Sequence, residues 1–156
     1  MSADYLAIML NDHLAGATAG VELARRTSAS NRDEPEFGPP LEELQGEIEA
    51  DRATLEQVMA AAGAGRDQLK LAAGWVAEKL GRLKPNGQLR GYSPLSRVVE
   101  LEALVLGITG KLRLWSLLAE REDQALGGFD FAALAERASE QRRTAERLQS
   151  AAAGRL

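Results

Sequence analysis

Four polar side chains interrupt the apolar faces of four predicted helices, and these residues are the ones best placed for chemistry. They are His13, Asp51, Glu102 and Arg142, one on each helix. Charged groups are seldom buried unless they are paired, hydrogen-bonded or bound to a metal. We therefore predict a buried polar network of these four residues across the middle of a helical bundle. The alternatives are that some of them reach water at the edge of the core, or that they bind a ligand.

A basic segment is the second candidate site. It carries five cationic residues with no acidic residue between them, and Trp75 and Tyr92 flank it. Such a segment can bind an anion, a membrane surface or a nucleic acid, or it can be a solvated loop paired with nearby acids. The candidate anion-binding residues are Lys79, Arg82, Lys84, Arg90 and Arg97.

The elements that must position these residues are all helical, because no run of the chain alternates with the two-residue period of a strand. Caps and first-turn prolines set the predicted starts. The third long helix has the widest apolar arc, so we expect it to be the longest and most buried. The predicted helices run from Ser2 as N-cap to about Arg26, from Pro40 to Gly63, from about Asp67 to Leu83, from Pro94 to about Asp123, and onward from Asp130 as cap; the intervening loops are Thr27–Pro40 and Lys84–Tyr92.

Small residues form a further pattern on the first helix. Gly16 and Gly20 lie four residues apart, close to Ala17 and Ala24. Small residues at this spacing let two helices approach closely, which predicts tight packing inside the bundle.

Length and composition exclude several classes of protein. The 156 residues, 45% apolar and 27% charged, are typical of one globular domain spanning residues 1–156. The chain has no cysteine and one histidine, so thiolate sites and cysteine nucleophiles are excluded. No catalytic triad, phosphate-binding loop, signal peptide or membrane-spanning run is recognisable. We expect a cytoplasmic protein without assigned catalytic residues.

Four long helices with inward carboxylates and a histidine resemble the ferritin-like superfamily, in a bacterial branch of it. The resemblance covers most of the chain and rests on architecture. A di-metal site of that family takes a Glu from each of two helices and Glu-x-x-His from each of the other two. Here Glu49 and Glu140 are each followed three residues later by an arginine, Arg52 and Arg143, and arginine cannot ligate. The resemblance therefore implies the fold, an antiparallel four-helix bundle with an additional short helix between helices two and three, and it implies no metal or other cofactor.

The function expected from these observations is non-enzymatic. We predict a helical bundle that acts through protein–protein contacts, most simply as a homodimer. Two alternatives stay open: a metal-binding or redox bundle that uses His13, Asp51 and Glu102, and an anion- or nucleic-acid-associated module that uses the basic segment 79–97. The formal net charge of −4 argues against general nucleic-acid binding.

Overall fold

The computed structural model describes residues 2–65 and 91–156, and these residues form four long helices. The helices are α1 (Ala3–Ser30), α2 (Gly38–Ala61), α3 (Pro94–Ala119) and α4 (Phe131–Ala153), with one 3₁₀ turn at Gln124–Leu126. No strand occurs in these two ranges. The prediction of an all-helical bundle is therefore confirmed for the described residues. The predicted short helix 67–83 and most of the loop 84–92 lie outside them.

Two clusters of buried apolar residues form the core, one toward each end of the bundle. The first joins side chains of all four helices, among them Leu10, Val58, Trp115 and Ala138. The second does the same with Ala24, Leu44, Leu101 and Leu148. Each helix therefore passes from one cluster to the other, which is the arrangement of a bundle.

Residue numbers within the two clusters give the direction of each helix. From the first cluster to the second, the numbers rise along α1 and α4 and fall along α2 and α3. The closely packed pairs α1–α2, α1–α3 and α3–α4 are therefore antiparallel, whereas α2 and α3 are parallel. The end of α2 and the start of α3, which residues 62–93 connect, lie at opposite ends of the bundle.

The predicted caps are present at three helix starts. Ser2 accepts a hydrogen bond from the Tyr5 backbone N–H, and Asp130 accepts one from Ala133. Ser93 and Ser96 form a reciprocal capping box at the start of α3. Side-chain oxygens at these positions satisfy backbone N–H groups that have no partner inside the helix.

The first helix is longer than predicted. It continues to Ser30 instead of ending near Arg26, and α2 begins at Gly38 instead of Pro40. The buried hydroxyl of Thr27 donates to the Leu23 carbonyl at 2.8 Å, and the buried Asn31 amide donates to the Thr27 carbonyl at 2.7 Å. Because the helix carbonyls satisfy these polar groups, the first residues of the predicted loop extend the helix to Ser30.

Helix α3 is neither the longest nor the most buried of the described helices, so that prediction is wrong. It has 26 residues against 28 in α1, and it ends at Ala119, before the expected Asp123. Its inner side is buried at Leu101, Leu104 and Ile108, but its outer side exposes leucines. No described helix is long and apolar enough to cross a membrane.

The corner between α1 and α2 requires a glycine, which gives a testable contrast. A Cβ atom on Gly38 would lie 2.7 Å from the Arg32 carbonyl oxygen, whereas one on Gly46 of the same helix meets no atom within 4 Å. We expect Gly38→Ala to destabilise the protein by about 1–3 kcal/mol, because backbone must shift. Gly46→Ala should stabilise it by about 0.5–1 kcal/mol through helix propensity. Urea unfolding of both variants checks this, and equal effects would contradict the close contact.

Candidate functional site: a buried polar cluster and an apolar groove

A buried carboxylate lies between the two core clusters. Asp51 of α2 is 2% exposed, and its Oδ2 accepts hydrogen bonds from Lys111 Nζ at 2.5 Å and Gln141 Nε2 at 3.0 Å. Its Oδ1 accepts from Arg137 Nη2. Lys111 Nζ also donates to Gln141 Oε1 at 2.5 Å. We call Asp51, Lys111, Arg137 and Gln141 the central polar cluster.

Three helices position this cluster. Asp51 stands on α2 between the buried Ile48 and Leu55, while Lys111 comes from α3 and both Arg137 and Gln141 come from α4. Burial lowers the pKa of the Lys111 ammonium below its ordinary value of 10.5, and the neighbouring Asp51 carboxylate opposes that shift. The cluster therefore joins three helices through one carboxylate.

The contacts in the central polar cluster leave little capacity for metal or acid–base chemistry. Both oxygens of Asp51 are occupied by cationic or amide donors, and both ends of the Gln141 amide are used. Among the described residues, no group of three or more His, Asp and Glu side chains is arranged to hold a metal ion. The arrangement is that of a structural network.

The members of this cluster differ from the predicted network except at Asp51. Glu102 is exposed on α3, and Arg142 is half-buried, 3.6 Å from Glu146 on its own helix. His13 is half-buried on α1. The prediction placed His13 and Glu102 at equal depth by taking α1 and α3 as parallel, but they are antiparallel. The structure therefore does not bring His13, Asp51 and Glu102 together as a network or a metal site.

Gln141 has a recognisable sequence signal, whereas Lys111 is identified as a core residue only by the packed structure. Lys111 lies three residues from the buried Ile108 and three from the buried Leu114, so it falls on the core stripe of α3. Gln141 is likewise three residues beyond the buried Ala138. The predicted network contains Glu102 instead because the apolar arc of α3 is so wide that its pattern does not show which face is buried.

Of the five residues proposed to bind an anion, Arg97 alone is described, and it is buried in a corner of the bundle. Its Nε donates to Asn31 Oδ1 at 2.5 Å, and its Nη2 lies 3.3 Å from a Glu34 oxygen. Its guanidinium lies 4.4 Å from the centre of the Phe37 ring. These contacts contradict an anion-binding role for Arg97; Lys79, Arg82, Lys84 and Arg90 lie outside the described residues.

An apolar groove of about 660 Å³ runs between α1 and α3, with α2 beneath it. Gly16 and Gly20 line one wall and Gly107 and Gly110 line the other; His13, Asp51 and Lys111 line it as well. We call this the α1–α3 groove. Its volume is within the range of small-molecule-binding clefts.

The glycines of the α1–α3 groove are not explained by close packing. A Cβ atom added to Gly16, Gly20, Gly107 or Gly110 would meet no atom within 4 Å. The prediction that Gly16 and Gly20 allow tight helix packing inside the bundle is therefore wrong. A glycine inside a helix makes the folded protein about 0.5–1 kcal/mol less stable than an alanine at the same position would. These residues weaken two helices and leave their facing sides without side chains.

We expect strong energetic coupling within the central polar cluster. Asp51→Leu alone leaves a buried ammonium without its counter-ion and should destabilise the protein by about 3–5 kcal/mol. Adding Lys111→Met should make the double variant more stable than the sum of the single effects by about 1–3 kcal/mol. A matched cycle on the exposed pair Glu136 and Arg143 should give less than about 1 kcal/mol. Additivity at Asp51 and Lys111 in urea unfolding would contradict the cluster.

His13 should make the folded state sensitive to acid. Burial lowers its pKa below 6.5, and the neighbouring Asp12 opposes the shift. Between the folded pKa and 6.5 the unfolded chain binds more protons, so lowering the pH through this range removes stability. The unfolding free energy of the native protein should therefore fall relative to that of His13→Gln between pH 7 and 5. Parallel stability curves would show that His13 is not desolvated.

Comparison of the chain with protein-family models, with curated proteins and with solved structures finds no significant match. These comparisons assign no family to the chain. The resemblance to the ferritin-like superfamily therefore stays a prediction.

Proposed function

We propose that this protein is a non-enzymatic helical bundle that acts through protein–protein contacts on the outer face of α3. One observation carries the proposal: in the part of the chain that the structure describes, this face leaves three large apolar side chains exposed. Leu95, Leu106 and Leu117 are 58%, 69% and 41% exposed. Large apolar side chains left exposed along one side of a helix are candidates for a protein-binding surface.

The interior supports a structural rather than a catalytic role. The carboxylate of Asp51 is bound by three partners from α3 and α4, so it is not free to act as a general base or a nucleophile. A buried polar group that is fully hydrogen-bonded specifies how helices pack. We therefore place the contact with a partner protein on the outer face of α3.

We also propose that the bundle is ferritin-like. The support is its order of helix directions, with α1 antiparallel to α2, α3 antiparallel to α4, and one long connection between the parallel α2 and α3. Ferritin-like folds contain one such long crossover. Location in a reducing compartment such as the cytoplasm accords with a sequence that contains no cysteine.

A photo-crosslinking experiment in the native host cells tests the contact surface. The photoreactive residue p-benzoylphenylalanine replaces Leu106 in one variant and the exposed Arg143 of α4 in the other. We expect irradiation to trap a discrete polypeptide at position 106 only, and peptide mass spectrometry identifies the residue it reaches. If position 106 traps nothing beyond what position 143 traps, the outer face of α3 is not a protein contact.

A further inference from the structure

We propose that the partner of the outer face of α3 is a second copy of this chain, with the two α3 helices antiparallel around a two-fold axis at Leu106. This inference rests on the proposed function and adds the identity and register of the partner. The arrangement is carried by the spacing of exposed leucines, by the charges between them and by the glycines beside them.

The exposed leucines of α3 are evenly spaced and symmetric about the middle one. Leu95 and Leu117 each lie eleven residues from Leu106. Eleven residues are close to three helical turns, so successive leucines are rotated by only about 20° and separated by about 16 Å along the axis. The three side chains therefore form one line along α3, which we call the leucine line.

This spacing makes the leucine line complementary to itself. In an antiparallel pair centred on Leu106, the two Leu106 side chains meet at the axis. Leu95 of each copy lies opposite Leu117 of the other, at both ends of the contact. A two-fold interface needs a surface that matches itself when reversed, and an evenly spaced apolar line meets this condition. An unrelated partner helix would not require the symmetry.

The charges on the same face also match when the helix is reversed. Glu102 and Arg113 are both exposed on α3; Glu102 precedes Leu106 along the helix and Arg113 follows it. In the antiparallel pair Glu102 lies opposite Gly110 of the second copy, about 4.5 Å along the axis from that copy's Arg113. An arginine side chain spans this separation. The two-fold axis therefore creates two Glu–Arg pairs, whereas a parallel pair at equal register would place like charges side by side.

Two glycines beside the leucine line permit a close approach. Gly107 is exposed, Gly110 is half-buried, and a Cβ on either would meet no atom within 4 Å. Small residues at a helix crossing lower the distance between the two axes and make room for a large side chain of the partner. Gly110 lies opposite Glu102 of the second copy, so its missing side chain leaves room for that carboxylate to reach Arg113. The glycine on the α3 side of the groove thus has a role in the pair.

Sedimentation equilibrium of the purified full chain tests the association. We expect a mass twice that of the chain at micromolar concentration, and half that value for Leu106→Glu. Ile8→Glu, at an exposed apolar residue of α1, should keep the doubled mass. Circular dichroism checks that both variants stay folded. A monomeric native protein, or a Leu106→Glu variant that keeps the doubled mass, would overturn the proposal.

Cysteine cross-linking tests the register, since the natural chain contains no cysteine. Leu106→Cys should form a disulfide-linked dimer on mild oxidation, because the two sites meet at the axis. Leu95→Cys and Leu117→Cys should link when the two variants are mixed, and neither should link alone. Linking of Leu95→Cys to itself would show a parallel pair and contradict the antiparallel one.

A charge-reversal series gives an independent measurement that does not remove a leucine. Glu102→Arg places two cations together in each half of the pair, so the dissociation constant should rise about tenfold. Adding Arg113→Glu restores opposite charges and should return the dissociation constant close to its native value. A double variant that dissociates as readily as Glu102→Arg would contradict the Glu–Arg contact.

The outcome separates this inference from the proposed function. If photo-crosslinking at position 106 traps another protein while the purified chain is monomeric, the contact surface is supported and the second copy is wrong. If position 106 traps no polypeptide and the chain is monomeric, both proposals are wrong. Cross-links from position 106 into α3 of the same chain, together with a doubled mass, support both.

Discussion

The burial of the Asp51 carboxylate is the constraint on which the arrangement of the helices depends. An ionised carboxylate at 2% exposure must be compensated, and here the compensation comes from α3 and α4 rather than from α2 itself. A shift of α3 along its axis by one turn would move the Lys111 ammonium about 5 Å away from Asp51. The ion pairs therefore fix the register of three helices, while the two apolar clusters on either side supply most of the favourable burial.

The two faces of α3 follow different requirements. Its inner side is specified by the core and by Lys111, and substitutions there change the stability of the bundle. Its outer side exposes Leu95, Leu106 and Leu117, and an exposed leucine contributes little to the core. The exposed leucines of α3 are explained if its outer face is covered in the working protein.

Much of the fold could be predicted from sequence, and the failures have physical causes. Side-chain caps such as Ser93 and Asp130 act locally, so their residue types suffice to place the helix starts. The extension of α1 depends on Thr27 and Asn31 bonding to helix carbonyls, a choice that residue type alone does not decide.

The candidate site could be predicted only in part. Asp51 stands on a helix with a clear apolar stripe, so its inward orientation was evident. Its partners depend on the relative directions of the helices, which the pattern of one helix at a time does not contain. On α3 the apolar residues are spread around most of the helix, so the sequence does not show whether Glu102 or Lys111 faces the core. The packed structure shows that it is Lys111. The α1–α3 groove arises from the packing of three helices, so no single motif reveals it.

The parallel course of α2 and α3 has a consequence for the folding kinetics. The pairs α1–α2 and α3–α4 are hairpins of neighbouring helices, whose contacts close short loops and form early. The ion pairs of Asp51 instead join residues 60 and 86 positions apart, and they form only when one hairpin docks on the other. Closing such a long loop is entropically unfavourable, so docking is the late step. The central polar cluster therefore affects the unfolding rate of the assembled bundle more than the rate at which the hairpins form.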